Sequence, residues 1–436
     1  MNIIKRDGST EKLDVKKIKK AILSAFESTD VGVSNVDKIS EKIISDMSFY
    51  DNMPIEDIQE QIIEILYQYD YEEVADAYKA YKVRHDQIRK QIDSDIEYML
   101  NYMNDEENAA TASNTDPNAN IVMKNVSNME NEVPKETNRL IQRAWIKRAL
   151  HEIYPDESNL GKQYIEDIKN HIIYPHDEAS SPTIKNYCEA VQLYPLVLHG
   201  TSTMDGTDVK APKHLSSFAG QMCNLLFLLS SQCKGACAIS EFFNYFDYYC
   251  VKDFGENYVD KADMLATSEI IKNKQTIKDI ILQTFQQIVH YWNQPSSNRG
   301  SQSPFSNISY FDKNYWNALF GNFYFPDGSQ PSWERVSWLQ KTFIHWFNEE
   351  RSKTLLTFPV ETMALLHDGK DIIDKEYKEL TSEMWSKGHS FFLYLSDNPS
   401  SLSSCCRLQN KIADNTFSFT NGLTGVNFGP FIYLIA

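Results

Sequence analysis

The sequence predicts a small α+β module of one hairpin and four helices, followed by a larger α/β region built as a sheet or barrel. Two observations support the small module. A turn signal lies between two short β-like runs near the start, and four amphipathic helical patterns follow it. A third observation supports the larger region, where helical patterns alternate with short apolar runs and no repeat occurs.

The predicted hairpin consists of NIIKR and EKLDV, which flank Asp7-Gly8-Ser9-Thr10, a typical turn sequence. The first predicted helix, VKKIKKAILSAF, places apolar residues near helical spacing from Val15 to Phe26. Three further helical patterns follow: VDKISEKIISDM, PIEDIQEQIIEILYQY with Pro54 in its first turn, and EEVADAYKAYKVRHDQIRK. Together these elements predict that residues 1–92 form one compact unit.

A polar stretch separates this unit from the rest of the chain. Residues 104–120, NDEENAATASNTDPNAN, are nearly free of large apolar groups, so we predict a helix end and linker over 93–120. Residues 121–436 form the larger region. Its helical patterns are ETNRLIQRAWIKRALHEIY, SFAGQMCNLLFLLSSQ and TIKDIILQTFQQIVHYW, and its strand-like runs are TLLTFPV and SFFLYLS. The final run, FIYLIA, reads as an apolar strand without a partner, which is unusual at a domain edge.

The charge balance limits the kinds of partner. The chain has 43 basic and 60 acidic residues in 436, a net charge of −17, which argues against broad binding to nucleic acid or to an anionic membrane. No run of 18 apolar residues and no signal-peptide stretch is found. We therefore expect a cytoplasmic protein in a reducing compartment.

Seven cysteines are too few for a disulfide framework in a chain of this length. No CxxC occurs, and Cys233-Lys-Gly-Ala-Cys237 has neither the spacing of a zinc knuckle nor a histidine partner at finger spacing. No metal site is predicted. Most of the cysteines stand in apolar surroundings, where a buried thiol acts as a small apolar side chain.

A basic cluster surrounds the predicted hairpin of this acidic chain. It consists of Lys5, Arg6, Lys12, Lys16 and Lys17. Lysine supplies point charges and arginine a bidentate fork, so the cluster could bind a polyphosphate. A solvated charged face is the alternative interpretation.

The arrangement of the N-terminal motifs resembles the ATP-cone, a regulatory nucleotide-binding module of ribonucleotide reductases. The motifs are the KRDG turn, the KI..AI..A helix, IEDIQEQIIEIL and A.AYKAYKVRHD, over roughly residues 2–90. The resemblance implies ATP and dATP as allosteric effectors. It also implies that five residues contact the nucleotide: Ile4, Lys5, Arg6, Glu11 and Lys17.

The stretch SLSSCCRLQN places Cys405 and Cys406 side by side before Arg407. A thiol at a loop tip can be held rigidly against a substrate, and its S–H bond is weak enough to exchange a hydrogen atom with carbon. This predicts a redox or radical site. A buried thiol pair is the alternative.

FFLYLSDNPSSLSSCCRLQN and FSFTNGLTGVN resemble the cysteine-loop region of class III, anaerobic ribonucleoside-triphosphate reductases. These are glycyl-radical enzymes with a ten-stranded α/β barrel. The resemblance implies that Cys406 carries the thiyl radical on a finger loop and that Asn427 binds a substrate hydroxyl. It implies that Cys188, in SPTIKNYCEAVQLYP, supplies reducing equivalents, with a buried strand cysteine as the alternative. The expected fold is therefore an ATP-cone domain followed by an incomplete ten-stranded barrel.

The R-x-x-G-Y-like loop that carries the family's glycyl radical does not occur in this sequence, nor does the family's four-cysteine zinc motif. We therefore expect a truncated chain. Two interpretations remain open: a reductase that needs a second polypeptide with the glycine loop, or an inactive ATP- or dATP-binding regulatory fragment. A third, an ATP-cone repressor, would need a zinc ribbon, and none is found.

The same resemblance implies the partners. A ribonucleoside triphosphate is the expected substrate, a radical S-adenosylmethionine activase makes the glycyl radical, and the chain forms a homodimer. Formate or a thioredoxin-like protein is the expected reductant.

Overall fold

The computed structural model describes these residues: 1–6, 8–29, 31, 35–103, 133–157, 159–175, 178–183, 188–202, 208–233, 235–266, 275–294, 303–399, 401–403, 409–411, 426–427 and 432–434. The chain divides into two units, Met1–Glu106 and Glu107–Ala436. The predicted polar linker, residues 104–120, lies outside the described residues.

The first unit contains a three-stranded sheet. Strand β1 (Asn2–Ile4) pairs antiparallel with β2 (Thr10–Lys12), as the hairpin prediction requires, and parallel with β3 (Met53–Pro54). The hairpin turn is closed by the N–H of Gly8, which donates to the carbonyl of Lys5 at 3.0 Å. Gly8 has φ = +78°, a conformation that only glycine adopts at no steric cost. The third strand was not predicted because two residues are too few to give a pattern.

Helices pack on this sheet to form one core. They are α1 (Val15–Glu27), α2 (Val36–Asp46), α3 (Ile55–Gln68) and α4 (Glu72–Met103). Asp14 caps α1, because its side chain accepts from the N–H of Lys16. Helix α3 begins at Ile55, one residue after the proline that we expected inside its first turn. The core is aliphatic, and its least exposed large members are Ile22, Ile43, Ile62, Leu66 and Val74.

Helix α4 is 32 residues long, and only its beginning belongs to this core. Val74, Ala75 and Tyr78 are buried. Farther along, Ile88, Ile92, Ile96 and Leu100 are 45–53% exposed. The helix therefore continues well past the body of the unit that it packs against.

The second unit is built on a six-stranded sheet. Its described strands are β5 (Cys188–Ala190), β8 (Cys237–Ile239), β9 (Ser306–Phe311), β10 (Val360–Leu366), β11 (Phe392–Ser396) and β14 (Val426–Asn427). They lie in the order β11-β10-β9-β8-β5-β14. Neighbouring strands from β11 to β5 are parallel, and β14 is antiparallel to β5. This is a parallel half-barrel of the predicted α/β class.

The described helices of this unit are α5 (Lys135–Ile153), α6 (Leu160–Lys169), α7 (Tyr194–His199), α8 (Leu215–Ser230), α9 (Phe242–Phe254), α10 (Ile277–Trp292), α11 (Lys313–Phe320), α12 (Trp333–Lys353) and α13 (Lys375–Ser386). Two of them, α5 and α6, precede β5 in the sequence, and the others lie between strands of the sheet, as the alternating pattern predicts. Three strand pairs lie outside the large sheet: β4 (Ile173–Pro175) with β15 (Ile432–Leu434), β6 (Thr201–Ser202) with β7 (Asp208–Val209), and β12 (Ser401–Ser403) with β13 (Gln409–Lys411). None of the described helices combines the length and the apolar character needed to cross a membrane.

Two predictions about strands are wrong. TLLTFPV is not a strand, because β10 begins only at Val360. Pro359 has no N–H to donate to a ladder, which explains why the strand starts after it. The apolar run near the end is not unpaired either, because β15 pairs antiparallel with β4 and Tyr433 lies opposite Tyr174.

Aromatic side chains dominate the core of the second unit. Phe246 of α9 contacts Phe285 of α10 with 4.5 Å between ring centroids, and Phe285 contacts Phe343 of α12 at 4.9 Å. Full burial of each such side chain contributes roughly 1.5–3 kcal/mol to stability. These contacts join α9, α10 and α12 to one another.

One buried ion pair links α9 to α12 within this core. Arg335 donates from Nε and Nη2 to the two carboxylate oxygens of Asp247, at 2.8 and 3.2 Å. The hydroxyl of Tyr258 donates to the same carboxylate at 3.0 Å. Burial raises the pKa of Asp247, and Arg335 opposes that rise. Asp247 thus depends on its partners to remain charged away from water.

Candidate functional site

The first unit contains a cavity of about 470 Å³, which we call the N-terminal cavity. Strands β1 and β2 and helices α1, α3 and α4 line it. Five basic side chains, Lys5, Arg6, Lys12, Lys17 and Arg89, and two acidic ones, Glu11 and Asp14, are part of the lining. Among the lining residues, positive charges outnumber negative ones by three, while Glu56 and Asp86 pair with Arg6 from outside the lining; the whole chain carries −17. A concave site with such a surplus suits a polyphosphate.

Arg6 is held in a fixed position at this cavity. Its Nε donates to Glu56 Oε1 at 2.5 Å and its Nη2 donates to Gln59 Oε1 at 2.5 Å, so the hairpin turn is tied to α3. Asp86 of α4 lies 3.5 Å from the same Nη2. The guanidinium therefore joins three elements, and its fork is oriented before any ligand binds.

Glu11 is the centre of a second charge cluster. Lys17 and Lys5 bind its two carboxylate oxygens, at 2.7 and 2.6 Å. The hydrogen bonds from Lys17 and then Lys5 lower the pKa of Glu11 to about 2. The same contact with Glu11 raises the pKa of Lys17. Both lysines are thus charged but engaged, and a phosphate would compete with Glu11 for them.

Apart from Gln59, the rest of the N-terminal cavity is apolar. Tyr78 forms part of this wall, and burial raises its pKa to about 12. Ile3 lines the cavity and its neighbour Ile4, a predicted contact residue, does not, because successive side chains of a strand alternate between faces. The other apolar members are Leu13, Ile18, Ala21, Ile55, Ile58 and Ile62. A nucleoside could pack against this wall while its phosphates reach the basic side.

A second cavity of about 460 Å³ lies between α1 and α4. Lys17, Ala21 and Tyr78 line both cavities and therefore form a common wall. The second one is otherwise bordered mainly by small side chains and by the exposed Tyr81.

Four of the five predicted nucleotide contacts, Lys5, Arg6, Glu11 and Lys17, thus come together at one cavity. Sequence reasoning missed Tyr78 and Arg89 as members of the site. The two are 11 residues apart on α4, three helical turns, which places them on the same side of the helix. That spacing was the signal that could have identified them.

The second unit brings two other predicted site residues together. Cys188 of β5 is 1% exposed, and its Sγ accepts from the N–H of Ala236 at 3.3 Å. Asn427 is the direct partner of Cys188 in the antiparallel register of β14 and β5. These positions are 239 residues apart in sequence but neighbours in the sheet.

Cys405 and Cys406 lie outside the described residues. The strands that flank them in sequence are described: β12 and β13 pair antiparallel, with Ser403 opposite Gln409. The radical role predicted for Cys406 is therefore not tested by the structure.

Small and polar residues share one face of the large sheet, which we call the small-residue face. Register pairing and alternation place on it Cys188, Ala190, Ala238, Asn307, Ser309, Thr362 and Ala364. All are buried. Within the part of the chain that the structure describes, the hydroxyl of Ser309 and the Oδ1 of Asn307 have no hydrogen-bond partner. Buried polar atoms nearly always have a partner, so this face is suited to a polar ligand.

Sequence reasoning also missed this face. The strand SNISYF of β9 is fully buried, yet Asn307 and Ser309 alternate in it with Ile308 and Tyr310. Polar residues at two alternate positions of a buried strand were the signal.

Glu241 fixes the segment that follows β5. It stands at the N-terminal end of α9, and its Oε1 accepts from the N–H of Leu193. Burial raises the pKa of Glu241 from its ordinary value of 4.5 to about 8, against the lowering effect of that hydrogen bond. Among the described residues, its Oε2 has no hydrogen-bond partner. Burial therefore favours the neutral acid form of Glu241.

Comparison with solved structures identifies relatives of the chain. A crystal structure of the anaerobic ribonucleotide reductase from Thermotoga maritima in complex with dATP and CTP is 28% identical, with a TM-score of 0.55, over 64% of this chain and 44% of that one. A structure described as anaerobic ribonucleotide reductase is 27% identical, with a TM-score of 0.57, over 71% of this chain and 46% of that one. The Thermotoga maritima enzyme with dATP bound in the specificity site is 25% identical, with a TM-score of 0.54, over 71% and 50%. The chain thus spans about half the length of these proteins.

No curated protein matches the chain in sequence. Two family models do match. Residues 1–87 match the ATP cone domain, and residues 126–430, well over half of the chain, match anaerobic ribonucleoside-triphosphate reductase. The chain therefore belongs to the anaerobic ribonucleoside-triphosphate reductase family and carries an ATP-cone at its N-terminal end.

Proposed function

We propose that this chain acts in the anaerobic reduction of ribonucleoside triphosphates to deoxyribonucleoside triphosphates by radical chemistry, under allosteric control by ATP and dATP. The observation that carries the proposal is the register of Cys188 with Asn427 in a member of this family. The two positions to which the family resemblance assigns reduction and substrate binding are cross-strand neighbours, about 5 Å apart in any antiparallel pair.

The proposed roles follow from this placement. Cys406 exchanges a hydrogen atom with C3′ of the ribose, Asn427 binds a ribose hydroxyl, and the 2′ hydroxyl leaves as water. Cys188 passes reducing equivalents to the ribose, and formate, oxidised to carbon dioxide, is the candidate source of the two electrons. A glycyl radical supplies the unpaired electron in this family, and no residue described here is assigned to it. The unpaired polar atoms of Asn307 and Ser309 would bind the substrate.

We propose that the N-terminal cavity binds the effectors. A nucleoside triphosphate carries several negative charges, which the surplus of three positive side chains would offset. The apolar wall with Tyr78 would contact the nucleoside. ATP bound here would favour the reaction and dATP would oppose it.

The finer architecture is also part of this proposal. The parallel half-barrel would belong to a ten-stranded glycyl-radical barrel. A radical S-adenosylmethionine activase, a polypeptide with the glycine loop and a second copy of the chain would be its partners. None of the five described cysteines forms a disulfide bond, which fits a reducing cytoplasm.

The decisive experiment is an anaerobic assay with the full chain, an activase, S-adenosylmethionine, CTP, ATP and formate. It is run with and without a polypeptide that carries the family's glycine loop. We expect dCTP when that polypeptide is present, and none with Cys406→Ala or Cys188→Ser. Cys223→Ser is the matched control, because Cys223 is an equally buried thiol on α8.

A second candidate is nucleotide binding without catalysis. The first unit favours it, since that unit has its own core and its own basic cavity. ATP binding together with no dCTP in either mixture would replace the reductase proposal with this one. Product formation by Cys406→Ala would contradict the proposed radical residue.

A further inference from the structure

Three side chains that can bind a metal ion meet at the start of β8. Glu189 of β5 and Cys237 of β8 are partners in the parallel register, so their side chains share a face of the sheet. Cys233 precedes β8, and its Sγ lies 3.5 Å from that of Cys237. One ligand atom from each of the three residues lies within 4.8 Å of the other two.

The distance between the two sulfur atoms helps to distinguish metal binding from disulfide formation. Two Zn–S bonds of about 2.3 Å at a tetrahedral angle place the sulfurs about 3.8 Å apart. A disulfide needs them at about 2.05 Å. The observed 3.5 Å, at which one thiol can also donate a hydrogen bond to the other, is close to the first value, so both sulfurs can reach one ion.

The two thiol groups and one carboxylate indicate which metal ion the three residues would bind. Thiolates favour zinc and other soft or borderline ions over magnesium and calcium, and two thiolates with one carboxylate are ordinary zinc ligands. Cys233 and Cys237 are 3% and 0% exposed, where thiolates without a cation would be costly. We propose that Glu189, Cys233 and Cys237 bind a Zn²⁺ ion, with a fourth position for water.

The ion would stabilise the strand junction that holds Cys188. Cys188 directly precedes Glu189, and its Sγ accepts from the N–H of Ala236, which directly precedes Cys237. The side chains of Cys188 and Glu189 alternate, so the ion would lie on the face opposite the small-residue face. Its role would be to fix β5 against β8 rather than to contact substrate, and it does not depend on the proposed reductase activity.

The test is the metal content of the full chain, purified without oxygen from zinc-supplemented cells and measured by plasma mass spectrometry. We expect about one zinc ion per chain in the wild type, and at least a tenfold loss in Cys233→Ser and Cys237→Ser. The matched controls are Cys223→Ser and Cys250→Ser, which remove buried thiols outside the cluster and should retain zinc.

A second measurement keeps the proposal testable if the serine variants do not fold. The metal-free wild type is titrated with Co²⁺, and a thiolate-to-cobalt charge-transfer band is expected. Glu189→Gln, which keeps both thiols, should weaken Co²⁺ binding at least tenfold. Zinc retained by a folded Cys233→Ser variant would overturn the proposal. So would an absence of both zinc and the cobalt band, or a Cys233–Cys237 disulfide in protein never exposed to oxidant.

Discussion

Lys17 and Glu11 form an ion pair at the wall of the N-terminal cavity, with 2.7 Å between Nζ and Oε1. The other oxygen of Glu11 binds Lys5. One carboxylate thus occupies two of the cations that a polyphosphate would need. Glu11 would therefore compete with a bound polyphosphate for Lys5 and Lys17.

Replacing Glu11 with glutamine should strengthen the binding of inorganic tripolyphosphate by roughly three- to tenfold, because a negative charge leaves the cavity and two lysines are released. Isothermal titration of tripolyphosphate and of ATP, side by side, checks this. Weaker ATP binding with unchanged tripolyphosphate binding would contradict the competition and indicate that Glu11 contacts the ribose.

Replacing Lys17 with alanine should weaken ATP binding roughly 5- to 30-fold, since a charge-assisted hydrogen bond is lost at the cavity. Lys38→Ala is the matched control. It makes the same change in net charge at an exposed position of α2 that does not line the cavity. Equal losses in the two variants would mean that net charge, rather than this cavity, attracts the nucleotide.

Replacing Ser309 with alanine should leave stability unchanged or slightly raised, because its buried hydroxyl has no partner among the described residues. If the small-residue face binds substrate, KM for the ribonucleotide should rise about fivefold or more. Ser337→Ala is the control: its buried hydroxyl contacts Tyr377 Oη at 3.1 Å, so it should lose about 1 kcal/mol of stability with KM unchanged. An unchanged KM in Ser309→Ala would exclude that hydroxyl from substrate binding.

Glu241 should make the second unit less stable as pH rises. Its native pKa of about 8 lies above the ordinary 4.5, so the stabilisation is complete below about pH 4.5 and is lost as pH rises through 8. Between pH 5 and 8 the free energy of unfolding of the wild type should fall by on the order of 3 kcal/mol relative to that of Glu241→Gln, whose side chain stays neutral. Urea unfolding followed by tryptophan fluorescence measures this unit alone, because all seven tryptophans lie beyond residue 106. If the free energy of unfolding changed with pH in the same way in the wild type and in Glu241→Gln, Glu241 would already be ionised in the native state.

Replacing Arg335 with methionine should destabilise the second unit by about 3–5 kcal/mol, because Asp247 is left buried without its cation. The double variant Asp247→Leu, Arg335→Met should recover most of that loss, since both charges are then absent. The same urea unfolding measures both. A double variant no more stable than the single one would mean that packing around the guanidinium, not charge compensation, gives Arg335 its effect.

The sequence predicted features that are encoded locally. The basic hairpin residues Lys5 and Arg6 are close in sequence to Lys17, and turn chemistry with helical periodicity was enough to place them together. Three helices of the second unit, α5, α8 and α10, followed from the same periodicity. Their ends are set by local caps, such as the Thr276–Asp279 capping box of α10.

Contacts between distant strands could not be predicted in this way. Glu189 and Cys237 are 48 residues apart, and only the register of β5 with β8 makes them neighbours. Spacing within Cys233–Cys237 alone argued against a metal site because the third ligand belongs to another strand. Register depends on the packing of the whole sheet, which a pattern within one segment does not contain.

Helix α4 is long, and only its first turns pack into the core of the first unit. At 1.5 Å per residue, the 25 residues from Tyr78 to Met103 span about 37 Å. Tyr78 borders both cavities of the first unit. A tilt of about 5° at Tyr78 would move Met103 by about 3 Å, because the displacement grows with distance along a straight helix. The length of α4 would thus magnify, at its far end, any small change in how its first turns pack beside the two cavities.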